Sequence, residues 1–142
     1  MRLVLDTATM VAAIRSRAGA SNRLLVAGLE RRLTLLVSTP LFIECEAVMT
    51  RDEHRVASGF SVRDVGDLLD AVAATAQPVR LAFLWRPAVR DPDDDMVLET
   101  AANGQADAIV TYNKRDFGKV AQRFGVELWL PGEAMRKLET GQ

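Results

Sequence analysis

Cysteine and histidine are almost absent: the chain has one of each, Cys45 and His54. A lone cysteine excludes an internal disulfide framework. The two together exclude an ordinary zinc site within one chain, because zinc draws on several nitrogen or sulfur ligands. Any metal held here must sit on oxygen. An excess of charge is missing too. Eighteen Lys and Arg meet nineteen Asp and Glu, for a formal net charge of −1. That excludes nucleic-acid binding by bulk electrostatics, so a nucleic-acid ligand would need local positive charge or a bound cation. Long apolar runs are lacking as well. The opening stretch meets an acid at Asp6 after a few apolar residues, and no run is long enough to cross a bilayer. The expectation is a soluble cytoplasmic protein with no membrane partner.

What is present is globular. Hydrophobic residues make up 49% and charged residues 26%, which is not a disordered composition. At 142 residues the chain can bury a core without staples, and it reads as one domain over 1–142.

Apolar segments alternate with amphipathic ones. Strands are expected at Arg2–Asp6, Leu33–Ser38, Val79–Trp85, Ala108–Thr111 and Val126–Leu130. Helices are expected at Met10–Arg15, Arg23–Arg32, Pro40–Arg51, Ser61–Ala76, Asp94–Asn103, Phe117–Phe124 and Pro131–Glu139. Gly104 reads as the stop of the Asp94 helix, and 52–59 as a polar stretch. The strands are apolar on both faces, which predicts an α/β sandwich: a parallel sheet of about five strands with helices on either side. In such sheets ligands bind beyond the carboxyl ends of the strands.

Acids fall at that edge. Asp6 ends the first strand, Glu44 lies a turn into the next helix, Asp94 and Asp95 open a helix after the third strand, and Asp116 follows the fourth. Crowded carboxylates repel and raise one another's pKa, a penalty that a hard cation removes. Mg²⁺ takes few carboxylates and keeps several waters, which suits such a rim. Helical spacing places Asp94 on the packed stripe with Val97, Leu98 and Ala101, and Asp95 about 100° round toward solvent. Spacing does not choose between Glu44 and Glu46. Singly, each acid also reads as a cap, a dipole partner or a solvated flank. Cys45 reads as core, His54 as a surface histidine, Asp107 as a turn residue, and Trp85 and Trp129 as packing. Exposed apolar faces are expected near Leu24, Leu25 and Leu29.

These positions resemble the PIN-domain nucleases, and among them the bacterial toxin-like branch. Val4-Leu5-Asp6-Thr7 is similar to the family's first strand and first acid. Thr39–Met49 is similar to its acidic helix, with a register that selects Glu44. Arg90-Asp91-Pro92-Asp93-Asp94-Asp95 through Ala101 is similar to its Asp-Pro block, and Ala106–Thr111 with Asn113 and Asp116-Phe117 to its fourth strand and last acid. The resemblance implies an αβα sandwich, Mg²⁺ or Mn²⁺ held by Asp6, Glu44, Asp94 and Asp116, and hydrolysis of RNA phosphodiesters. It also implies a cognate antitoxin and a homodimer. Thr7, Asp95, Thr111 and Asn113 would position these groups, and Arg86, Arg90, Lys114 and Arg115 would hold the RNA backbone. One departure stands out: where the family usually carries Asn two residues after the first acid, this chain has Ala8. Two other readings remain open at this point. One is a catalytically weakened PIN fold that binds RNA or protein. The other is a receiver-type phosphoacceptor domain, which would need an acid after a middle strand where Leu84-Trp85-Arg86 stands.

Overall fold

The structure, a computed structural model, describes residues 1–83 and 92–141, the side chains of residues 92 and 93 excepted. Trp85, Arg86, Arg90 and Asp91 therefore lie outside the described residues.

Five strands form one parallel sheet: β1 (Arg2–Leu5), β2 (Thr34–Val37), β3 (Gln77–Pro78), β4 (Ala108–Val110) and β5 (Glu127–Trp129). Their order is β3-β2-β1-β4-β5. Leu3, Val4 and Leu5 are buried without alternation, as are Ala108, Ile109 and Val110. Strands buried on both faces need cover on both, and the helices supply it, as the apolar runs of the strands predict. They are α1 (Thr7–Arg15), α2 (Ala20–Leu29), α3 (Thr39–Met49), α4 (Asp52–Ser58), α5 (Val62–Thr75), α6 (Pro92–Asn103), α7 (Val120–Arg123) and α8 (Pro131–Thr140). None of the helices described is long and apolar enough to cross a membrane. The strand order disposes of the receiver-type reading, whose doubly wound sheet runs 2-1-3-4-5.

The order also fixes where a ligand belongs. From β1 the chain winds outward through β2 to β3, then returns to the other side of β1 for β4 and β5. The switch point thus lies between β1 and β4, and the crevice outside their carboxyl ends is the favoured binding position.

Several local expectations need correction. Of the third strand expected at Val79–Trp85, residues 79–83 are described and are not strand, while Leu84 and Trp85 lie outside the described residues. The third strand is Gln77–Pro78, paired to Leu36 and Val37, with Val79 donating one further bond to the carbonyl of Val37 at 2.8 Å. Pro78 fits because β3 is an edge strand, where the missing N–H costs nothing. Beyond it, the Asn103 side chain replaces a neighbouring strand: its Oδ1 accepts from the N–H groups of Ala82 and Phe83, both at 3.1 Å. Residues 52–58 are helical, with Asp52 and Glu53 in the first turn and Gly59 at φ 77° closing the end. The helix expected at Phe117–Phe124 begins only at Val120, because Gly118 adopts φ 52°. The α2 face is not exposed: Leu24 and Leu25 are buried and Leu29 half-buried, since α2 packs against α1, α5 and α8.

Gly104 follows α6 for a reason other than the one its position suggests. The left-handed residue there is Gln105, at φ 53°. Gly104 is needed for space: a Cβ would lie 2.8 Å from Val79 Cγ2 and 2.9 Å from the carbonyl oxygen of Thr100. Its own carbonyl accepts from the Arg2 guanidinium at 2.6 Å, tying the end of α6 to the start of β1. We expect Gly104→Ala to cost about 1–3 kcal/mol through overpacking. The readout is a lower denaturant midpoint at unchanged slope. Equal or greater stability would show that the site relaxes freely.

Candidate active site

Asp6 is the first residue beyond β1 and the N-cap of α1. Its Oδ1 accepts from the Thr9 N–H at 2.9 Å and lies 2.7 Å from the Thr9 hydroxyl. Its own N–H donates to the carbonyl of Val110 at 3.1 Å, joining β1 to β4 at the switch point. The Thr9 hydroxyl, fully buried, also lies 3.0 Å from that carbonyl, and its one proton serves either oxygen in turn.

The second acid comes from α3. Ser38 caps that helix, accepting from the Leu41 N–H at 3.4 Å, and Pro40 presets its first turn. Ser38 Oγ also sits 2.7 Å from the buried hydroxyl of Thr100, which fixes α3 against α6. Glu44 is half-buried one turn in, while Glu46 is exposed.

From α6 come two adjacent acids whose burial reverses the expectation from helical spacing. Asp94 is half-buried, and Asp95, expected nearer solvent, is 3% exposed. The spacing argument assumed one packed stripe, but Val97, Leu98, Glu99, Thr100 and Ala101 are all buried, so α6 has no wide wet face.

The last acid follows β4. Thr111 is buried, and its hydroxyl accepts from the Asn113 N–H at 3.0 Å. The Asn113 amide then donates to Asp116 Oδ1 at 2.9 Å. Asp116 closes a single turn of 3-10 helix, Lys114–Asp116.

Asp6, Glu44, Asp94 and Asp116 line one cavity of about 230 Å³, together with Thr7, Ala8, Thr111 and Asn113. Sequence reasoning missed three further lining residues, Val48, Arg51 and Tyr112. Arg51 was findable in retrospect: on the helix expected over Pro40–Arg51 it falls about two turns after Glu44 on the same side, and in the structure it stands just past α3 as the N-cap of α4. Tyr112 carries no spacing signal. Size alone would choose a cleft of about 660 Å³ at the other end of the sheet, but its Asp107 carboxylate is already engaged by the Arg2 N–H at 2.8 Å.

The remaining candidates sit elsewhere. Asp95 is outside the cavity lining, and so is Arg115. The Lys114 ammonium is bound to Glu133 at 2.7 Å. That ion pair, with the Leu130 N–H, holds the Glu133 carboxyl below its usual range. His54 lies in α4, its Nδ1 3.4 Å from an Arg15 guanidinium nitrogen. Trp129 is buried.

The donor set suits a hard cation, since its acids offer oxygen and, among the described residues, no imidazole or thiolate lines the wall. Among the described residues no three of the acids, cysteine and histidine converge closely enough to hold an ion by themselves. The four carboxylates line one cavity without forming a coordination shell.

The model of the PIN domain matches residues 2–115, from β1 through the turn that carries Asn113. The chain belongs to the PIN-domain family. Nuclease chemistry on nucleic acids is the general property of that family. No curated protein matches the chain.

Cys45 adjoins this site without joining its chemistry. Burial pushes its thiol up to about 12, the Thr7 hydroxyl 4.0 Å away opposes the shift slightly, and the charges of Asp6 and Glu44 add to it. The raised value keeps the thiol neutral, and so unreactive, throughout the neutral range. Iodoacetamide at pH 8 should leave Cys45 unmodified in the native protein and label it once denaturant unfolds the chain. Rapid native labelling, read by mass spectrometry, would contradict this.

Proposed function

We propose that this protein is a metal-dependent endoribonuclease, using Mg²⁺ or Mn²⁺, and the toxin of a type II toxin–antitoxin pair acting in the cytoplasm. The observation that carries the reading is the meeting of Asp6, Glu44, Asp94 and Asp116, from four separate segments, in one cavity at the switch point of the sheet. A divalent cation in that cavity would lower the pKa of an attacking water and offset charge on the phosphoryl oxygens. The four carboxylates are the residues that would hold it, directly or through water.

The chain's own groups do the rest. The Thr9 hydroxyl and N–H fix the Asp6 carboxylate, so it need not reorganise when a phosphodiester arrives. Thr111 and Asn113 do the same for Asp116 through two successive hydrogen bonds. Arg51, which makes no ion pair within the described residues, lines a wall whose other described charged residues are all acids, and its guanidinium suits a phosphate oxygen. Water then attacks phosphorus, a P–O bond to the adjoining nucleotide breaks, and the leaving oxygen takes up a proton.

A second reading has one observation in its favour. Ala8 is exposed at the cavity and offers no hydrogen bond where the family usually has an amide. A PIN fold that binds RNA or protein without cutting would tolerate that loss. The antitoxin, the toxin role and a homodimer rest on the family resemblance. A homodimer would have to use a face other than Leu24 and Leu25, which this chain covers itself.

Purified protein, incubated with a pool of structured and single-stranded RNA, should cleave with Mg²⁺ or Mn²⁺ and stop on addition of chelator. Asp6→Asn should reduce cleavage to background. Cation binding by calorimetry without any cleavage would establish the binding-only reading. If the missing amide limits the rate, Ala8→Asn should raise kcat by roughly ten- to a hundredfold, the scale at which groups orienting metal ligands act. Arg51→Ala should lower kcat/KM by roughly tenfold or more, the value of a charge-assisted hydrogen bond. Unchanged kinetics would remove Arg51 from the site.

A further inference from the structure

Tyr112 is the chain's one tyrosine, and it stands at the mouth of the acidic cavity between Thr111 and Asn113. The residue is 53% exposed, yet its phenolic oxygen is 2.6 Å from Oγ of Ser21, a residue of α2 that is 1% exposed. The polar end is anchored inward while the apolar ring stays at the surface. Such a ring is fixed before any ligand arrives, so stacking on it forfeits little rotamer freedom.

We infer that Tyr112 is a stacking platform for the base beside the scissile phosphate, and that it restricts the site to unpaired nucleotides. The inference rests on the nuclease reading for its choice of RNA as ligand. Two observations and one general property of duplexes converge on it. The cavity, about 230 Å³, is smaller than those that enclose a drug-sized ligand, so it admits a phosphodiester link and leaves the base outside. The net charge of −1 gives no general attraction to the RNA backbone, so contacts to bases matter more than usual. A base held within a duplex presents no free face, whereas an unpaired one stacks on an aromatic ring whatever its identity. Tyr112 therefore selects for strandedness rather than for sequence.

The test measures binding and cleavage separately. Binding is followed by fluorescence anisotropy with Mg²⁺ in an Asp6→Asn background, using a short labelled single-stranded RNA and the same RNA annealed to its complement. The single strand should bind more tightly than the duplex. Adding Tyr112→Ala should weaken single-strand binding by roughly five- to a hundredfold, the worth of one stacked base, and should leave duplex binding where it was. Tyr112→Phe, which keeps the ring and loses the Ser21 bond, should recover most of the affinity and fall short of the Tyr112 protein only by the cost of a less firmly held ring. In a series of RNAs each lacking one base, a single abasic position should cancel the effect of Tyr112→Ala. Equal loss in the Phe and Ala variants would assign the effect to the Ser21 hydrogen bond and overturn the inference. So would unchanged binding by Tyr112→Ala, or equal affinity for single strand and duplex. Cleavage by the wild type decides the nuclease reading independently: it can succeed while Tyr112 has no effect, and ring-dependent binding can appear where nothing is cut.

Discussion

The rim of this sheet depends on how one carboxylate is held. Asp6 must end β1, start α1 and face the cavity at once. It does so because its groups are divided among those tasks. The backbone N–H goes to Val110 on β4, the backbone carbonyl receives the N–H of Met10 in the first turn of α1, and Oδ1 takes the donors of Thr9. The capping role is an ordinary helix start. Its position is what matters: the cap lies at the point where the strand order reverses, so the residue that begins α1 is the one the crevice exposes. Shifting β1 by one residue against β4 would turn Asp6 away from both partners.

The other acids inherit their positions from that arrangement. Ser38 locks α3 to α6 through Thr100, which brings Glu44 and Asp94, distant in sequence, to the same wall. Thr111 and Asn113 set Asp116 by a relay that begins at the end of β4, the strand Asp6 itself contacts. Each carboxylate is thus positioned by a neutral donor or a packed helix. The only guanidinium described on the wall, that of Arg51, takes no part in these bonds.

Much of this was legible in the sequence because parallel strands announce themselves. The continuous burial of Leu3–Leu5 and Ala108–Val110 follows directly from their apolar runs, and the acids after them mark the strand ends. The third strand was misread because Val79–Trp85 has strand-like residues, whereas the ladder forms at Gln77–Pro78 and an asparagine from α6 takes over beyond it. No local pattern encodes a side chain some twenty residues away standing in for a strand. The same limit applies to Asp95. Helical period says how far apart two residues lie around an axis, but not how many sides of that axis the fold will cover. Tyr112 escaped notice for a related reason: its significance comes from Ser21, on a helix that spacing cannot connect to it.

Ala8 gains meaning from the same geometry. An asparagine there would offer an amide at the cavity beside Asp6, yet the Asp6 carboxylate already has two donors from Thr9, one backbone and one hydroxyl. Orientation of the acid is therefore supplied from the buried side of α1, and the exposed side is relieved of it. The loss of an amide at Ala8 falls on whatever enters the cavity (water or a substrate oxygen) and not on the framework that surrounds it. A chain can lose that contact and still fold with its four acids around one cavity, because the hydrogen bonds that gather them run through Thr9, Ser38, Thr100, Thr111 and Asn113, and none of them is made by the side chain of residue 8.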